Sequence, residues 1–309
     1  MAIEEIKDAI TKLKSLDLSS SPINDINSLF KVFGKVSVIE YNFHPGKKII
    51  RARPEDDQWP YLTRSAHSYK PQQFNKTYQR ASTPNRTMFY GSIIPEELDK
   101  DDLDNERVVV TTEALPWMRE EKNCGVKRIA YSRWEVTDDI RMVAVLHNKQ
   151  FYNSSSHTRK LIADFERNLE QYPEIKEASL LVSKYIASEF GKEEIRSDHD
   201  YLISALYTEM VIRHGFEGIL YPSVRMGGQG FNIAITPDAS KDKLRLVAAG
   251  ECTIYKQTFG DSVIDNNTIA KIANENEPFR LIPVKAPYAG DETQCLAQLG
   301  LKTIDELCS

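Results

Sequence analysis

A chain of 309 residues with 41% hydrophobic and 28% charged residues, 14 Gly and 14 Pro is long enough to bury a core, and its composition is neither repetitive nor disordered. A formal net charge of −5 with no long Lys/Arg stripe excludes a nucleic-acid backbone as the expected partner. No stretch approaches the ~18 apolar residues that span a bilayer. The opening MAIEEIKDAITKLKS reads as an amphipathic charged helix rather than a signal peptide, so a soluble, cytoplasmic protein is expected.

Helical spacing of Ile6, Ile10, Leu13 and Leu16, a Ser/Pro break at Ser19 to Pro22 and an apolar stretch to Phe33 predict a helical N-terminal extension over 1–35. The runs VSVIEY and KKIIRAR, separated by His44-Pro45-Gly46, predict a β-hairpin. Further strands are expected at Met88 to Tyr90, VVVTT (108–112), IAYSRWEV (129–136) and MVAVL (142–146), with the acidic run PEELDKDDLDNE (95–106) as a solvated loop.

Leu161, Ile162, Phe165 and Leu169 share one helical face, and Leu181, Tyr185 and Ile186 follow Pro173, so two helices are expected in 156–196. Asp198 caps another that runs through His214 and stops at Gly215, before the strands GILYP, FNIAI, KLRLVA and CTIYK. A peripheral helical tail, 261–309, closes the chain. Without regular βαβ alternation the pattern is α+β rather than doubly wound.

The four cysteines, Cys124, Cys252, Cys295 and Cys308, form no C-x-x-C pair and have no His at metal-ligand spacing. They are expected to be reduced structural thiols. The six histidines show no i, i+4 pair, and the Walker loop, H-E-x-x-H, G-x-S-x-G and strand-linked G-x-G-x-x-G signatures are absent.

Three segments carry chemistry. In Ile49-Ile50-Arg51-Ala52-Arg53-Pro54, two arginines fall on one strand face and have the geometry to grip a pyrophosphate; in the bland reading they are a solvated edge pair. In Tyr78 to Ser92, a polar turn feeds an aromatic strand whose Tyr90 either stacks on a heteroaromatic ring or packs in the core. Downstream, Glu113 ends the VVVTT run, where a carboxylate must be paired, protonated or solvated in a cleft. In the third segment Ser223 stands at the end of GILYP, before Met226-Gly227-Gly228-Gln229-Gly230, either as a ligand contact or as a capping hydroxyl.

Taken together, IIRARP, YQRASTPNRTMFYGS, TTEAL and DYLISALYTEMVIRHGFEGILYPSVRMGGQGFNIAI resemble, in order, the Arg, Tyr, Glu and Ser blocks of the RES domain family of toxin–antitoxin systems. The resemblance implies an ADP-ribosyltransferase-like α+β core of packed sheets over 36–260, with the helical stretch 156–196 as an insertion. It implies an NAD glycohydrolase or phosphorylase that acts as a toxin or defence effector, held off by an inhibitory antitoxin or immunity protein. Arg51, Glu113 and Ser223 would be the catalytic set, and Arg51, Arg80, Tyr90 and Ser223 the NAD contacts. NAD is then substrate rather than cofactor, and the scheme needs no metal. Glu106 is the alternative carboxylate, because the acidic run stretches the spacing, and Arg53 is the fallback for Arg51. The alternatives are a protein ADP-ribosyltransferase and a non-catalytic nucleotide-binding module. Oligomeric state, the acceptor of the ADP-ribose and the trigger of activity are left open.

Overall fold

The computed structural model describes residues 3–95, 105–287 and 289–309. The solvated-loop expectation for 95–106 falls mostly outside them. In chain order the elements are helices α1 (Ile3–Ser15) and α2 (Ile23–Val32), strands β1 (Ile39–Phe43) and β2 (Lys48–Pro54), the single turn α3 (Arg64–His67) and β3 (Phe89–Ile93). Helices α4 (Glu106–Ala114) and α5 (Pro116–Arg119), strands β4 (Gly125–Val136) and β5 (Ile140–Ala144), and helices α6 (Ser156–Leu169), α7 (Pro173–Phe190) and α8 (Leu202–Arg213) follow. The chain ends with β6 (Gly218–Pro222), β7 (Phe231–Ile235), α9 (Pro237–Lys243), β8 (Leu244–Lys256), β9 (Ser262–Lys271), β10 (Ile282–Pro283) and α10 (Glu292–Gln298). The α+β expectation holds: mostly antiparallel strands with helices segregated from them.

Two compact units share the chain, each assembled from three stretches. Unit 1 is Met1–His44, Lys70–Asp104 and Asp139–Asp242, and unit 2 is Pro45–Tyr69, Asn105–Asp138 and Lys243–Ser309. Residues 36–260 contribute to both.

In unit 1 the strand order is β1-β5-β6-β7-β3, with β5 and β6 parallel and the other pairs antiparallel. Every residue of β6 and β7 is buried, which is why GILYP and FNIAI read as continuous rather than alternating apolar runs. The apolar faces of α1, α2, α7 and α8 pack into one cluster, from Ile6 and Leu13 through Phe30, Val182 and Ile186 to Leu206 and Ile219. The N-terminal helices and α7 are thus parts of the unit-1 core.

In unit 2 the order is β2-β4-β8-β9-β10, all antiparallel. Ile50 and Ala52 of β2, Ile129 and Tyr131 of β4, and Cys252 and Ile254 of β8 line one face, covered by Val110 and Leu115. A small separate cluster of Tyr255, Cys295, Leu296 and Leu307 holds the C-terminal segment.

Four expectations are corrected. β1 and β2 do not form a hairpin: β1 pairs with β5 and β2 with β4, because the chain leaves one unit for the other at His44. VVVTT is not a strand but the body of helix α4. Asn105 accepts from the amides of Arg107 and Val108 at 3.1 and 3.4 Å, Glu106 favours the positive helix end, and Thr111 and Thr112 bond back to the carbonyls of Arg107 and Val108. Burial of Val109 and Val110 then outweighs the β-branched preference for strands.

The segment expected as a helical tail opens with the ten-residue strand β9 and becomes helical at α10. Finally, Cys124 and Cys308 are joined in a disulfide with Cα atoms 5.3 Å apart, while Cys252 and Cys295 are buried thiols. The pair is 184 residues apart in sequence, a spacing that carries no pairing signal. Among the described residues, no helix is long and apolar enough to cross a membrane.

Candidate functional site

The β2 strand places Arg51 and Arg53 on one face of the unit-2 sheet. Ile50 and Ala52 belong to the cluster on the opposite face, so strand alternation turns both arginines away from it. Electrostatics agree. His67, 2% exposed, has a pKa lowered to about 4, by burial first and then by Arg51 and Arg53, against the opposing carbonyl of Tyr61.

The surroundings of the two arginines differ. Arg53 donates to Ala66 O at 2.7 Å, Asp56 Oδ2 at 2.6 Å and Gln58 Oε1 at 2.8 Å, and lies 4.2 Å from the Tyr61 ring centroid. It braces the loop after β2 and is a poor fallback for Arg51. Arg51 itself is half-buried, mid-strand, opposite Ser132.

Glu113 is half-buried in the last turn of α4, a helix whose Val110 packs on the Ile50/Ala52 face. Within unit 2 the sheet therefore separates α4 from the Arg51 side chain. Glu106, at the start of α4, lies 3.7 Å from the Arg133 guanidinium.

The carboxylate that the register does bring to the arginine face is Glu251 of β8. Arg53 pairs with Ala130, Ala130 with Glu251 and Glu251 with Thr268, so these four share one face; Arg51, Ser132 and Ala249 form the next row. Thr268 Oγ1 donates to Glu251 Oε2 at 3.1 Å, while Oε1 is buried and accepts no hydrogen bond among the described residues. Burial, with some help from Glu55, pushes this carboxyl up against the opposing pull of Thr268 and Arg128. Sequence reading passes over Glu251 because its only signal is a long-range register.

Arg80, Tyr90 and Ser223 lie in unit 1. Arg80 is buried at the C-terminal end of α7, where Nη1 donates to Phe190 O and Nη2 to Lys192 O at 3.0 Å, with Tyr201 stacked 5.1 Å away. It is a helix cap. The Tyr90 hydroxyl accepts from the Ala81 amide at 3.1 Å and meets Ser82 Oγ at 2.8 Å, so it clamps the tight turns of 79–86; burial raises its pKa to about 12.

Ser223 is fully buried at the end of β6. Its amide donates to Gly230 O at 3.0 Å and its carbonyl accepts from Gly228 N at 2.8 Å, which closes the glycine loop on itself. Positive φ values of 60°, 89° and 68° at Gly227, Gly228 and Gly230 explain the composition. The group that approaches this backbone is protein: a Cβ on Gly228 would sit 2.6 Å from Phe151 Cβ, and Ser154 Oγ donates to Gly227 O at 2.6 Å.

No protein-family model and no curated protein matches the chain. The likeness to the RES domain therefore stands on the quoted blocks alone.

His147 links two further side chains in unit 1, with Nδ1 2.7 Å from Ser183 Oγ and Nε2 3.7 Å from Glu166 Oε1. The residue types are those of a nucleophilic relay, yet burial lowers the imidazole to about 4, far from the range in which it would serve as a base at neutral pH. Ser183 is also in mid-helix. The His147–Ser183 hydrogen bond is a core contact, and Nε2 is buried without a hydrogen-bond partner among the described residues.

Proposed function

We propose that the chain cleaves the nicotinamide–ribose bond of NAD, as a glycohydrolase or phosphorylase on an ADP-ribosyltransferase-like core. The observation that carries this reading is the polar face of the unit-2 sheet, where Arg51 and Arg53 on β2 share a side with Glu251 on β8 across the small residue Ala130. Cleavage builds positive charge on the ribose, and a carboxylate fixed in a poorly solvated place stabilises that charge more than it stabilises the ground state. The nicotinamide leaves neutral, so no general acid is required. Arg51 suits the dianionic pyrophosphate.

The family resemblance assigns the carboxylate to Glu113, which lies across the sheet from Arg51, whereas the register favours Glu251 on the Arg51 face. The role that the resemblance gives to Ser223 is carried over as part of the same proposal. NAD is an intracellular metabolite, so action in the cytoplasm, as a toxin or defence effector restrained by an inhibitory protein, belongs to the same proposal.

The test is nicotinamide release from NAD by the purified chain, in water and with phosphate, followed by mass spectrometry of the ADP-ribose product. Wild type should release nicotinamide, and replacement of the working carboxylate should slow release by about 100-fold. Glu113→Gln and Glu251→Gln are compared directly. Loss in Glu251→Gln alone assigns the carboxylate to the sheet, and loss in Glu113→Gln alone assigns it to α4. No release under either condition refutes the proposal. It would instead support a non-catalytic module, a reading favoured by one observation: Arg80 and Tyr90, two of the NAD contacts implied by the resemblance, are occupied by protein groups.

A further inference from the structure

The C-terminal segment is attached to unit 2 by a short list of contacts. Helix α10 is capped by Asp291, whose carboxylate accepts from Gln294 N at 2.8 Å, and the chain then turns at Gly300, φ 74°, into Ile304–Cys308. Leu296 and Leu307 are buried with Tyr255 and Cys295 in a cluster of four, distinct from the one that holds the sheet against α4. Its polar ties to the β8–β9 hairpin include Gln257 Nε2 to Leu299 O at 3.1 Å, Thr258 N and Oγ1 to Leu307 O at 3.0 and 3.4 Å, and Gly290 N to Asp265 Oδ1 at 2.8 Å. So small a cluster makes a low-stability local unit.

One covalent bond closes it. Cys308, exposed at the end of the segment, is joined to half-buried Cys124 in the loop before β4. That loop is itself anchored, since Lys256 Nζ donates to Glu120 O at 3.0 Å and Asn123 O at 2.5 Å. The bond thus ties a weakly held segment to a firmly held loop, and its Cys308 end is exposed to a reductant.

We propose that the Cys124–Cys308 disulfide is a redox latch, whose reduction frees the segment from Gly290 to Ser309 and uncovers the Cys295 thiol while the sheet of unit 2 stays folded. A dithiol reductant supplies the two electrons and two protons: its thiols become a disulfide, and Cys124 and Cys308 become thiols. Cys295 reports the latch because it is 2% exposed beneath it. Burial, with Asp265 and Asp291, also pushes that thiol up and keeps it unreactive while covered. Cys252, buried in the sheet cluster, reports the rest of the unit.

The experiment is timed maleimide labelling of the native 309-residue chain, either oxidised or reduced with dithiothreitol that is removed before the label is added, with peptide mapping of each cysteine. Reduction should raise the labelling rate of Cys295 roughly tenfold or more, with Cys252 unchanged. The Cys124→Ser/Cys308→Ser double variant should label Cys295 at the fast rate without reductant. Equal Cys295 rates in oxidised and reduced wild type overturn the latch, because the noncovalent contacts then suffice. A joint rise of Cys252 and Cys295 also overturns it, because the bond then holds the whole unit.

Discussion

Replacing Arg80 by Met separates a structural role from a ligand-binding one. The guanidinium makes two charge-assisted bonds, to Phe190 O and Lys192 O, and stacks on Tyr201. Bonds of that type contribute about 1.5–3 kcal/mol each, and the cation–π contact adds about 1 kcal/mol. Methionine keeps the packing of the stem, so the net loss should be at least about 3 kcal/mol, or two decades in the folding equilibrium.

Urea denaturation followed by fluorescence measures the loss as a lower midpoint at unchanged slope. Arg80→Lys should fall between Met and wild type, since an ammonium lacks the planar fork that reaches both carbonyls. Calorimetric titration with NAD supplies the second axis. A variant within about 0.5 kcal/mol of wild-type stability that has lost NAD affinity would refute the capping argument and return Arg80 to the substrate.

Gly228→Ala should lower stability more than Gly227→Ala, although both glycines have positive φ. The new methyl at 228 meets Phe151 at 2.6 Å, adding overpacking of about 1–3 kcal/mol to the backbone cost, whereas at 227 it meets open space; equal denaturation midpoints would refute the close packing. His67 should make stability fall in acid. Folded His67 stays neutral down to about pH 4, while unfolded histidine takes up its proton near 6.5, so between these values the unfolded chain binds more protons. The contribution is complete above pH 6.5 and is lost progressively down to pH 4, on the order of 3 kcal/mol. His67→Gln should flatten the profile of midpoint against pH in that window, and an unchanged slope would exclude His67 as its source.

Much of the fold was legible because it depends on local periodicity. α6 and α7 show it as apolar residues at helical spacing, and β6 and β7 as short apolar runs between turn residues. Helix α4 was not, because five β-branched residues in a row mimic a strand. The contrary signal was one capping residue, Asn105, whose force depends on Val109 and Val110 finding a surface to bury against. The β1–β2 turn failed for a related reason: His44-Pro45-Gly46 does turn the chain, but a turn signal does not say which strands will pair. The disulfide was invisible because its partners meet only once the C-terminal segment has docked.

The candidate site divides along the same line. That Arg51 and Arg53 share a face follows from the two-residue period of a strand, and the structure keeps it. That Glu251 joins them follows from the β4–β8 register, which no local pattern encodes. The glycine loop after Ser223 marks the limit most clearly. Three glycines within four positions correctly announce a backbone that something approaches closely, and composition alone cannot name the visitor. Phe151 and Ser154 fill that approach, contributed by the loop between β5 and α6. A ligand that uses the Ser223 loop must therefore reach it from the side Phe151 leaves uncovered or move the Phe151 loop. In the second case Phe151→Ala would raise NAD affinity while lowering stability, the reverse of what removing a ligand contact does.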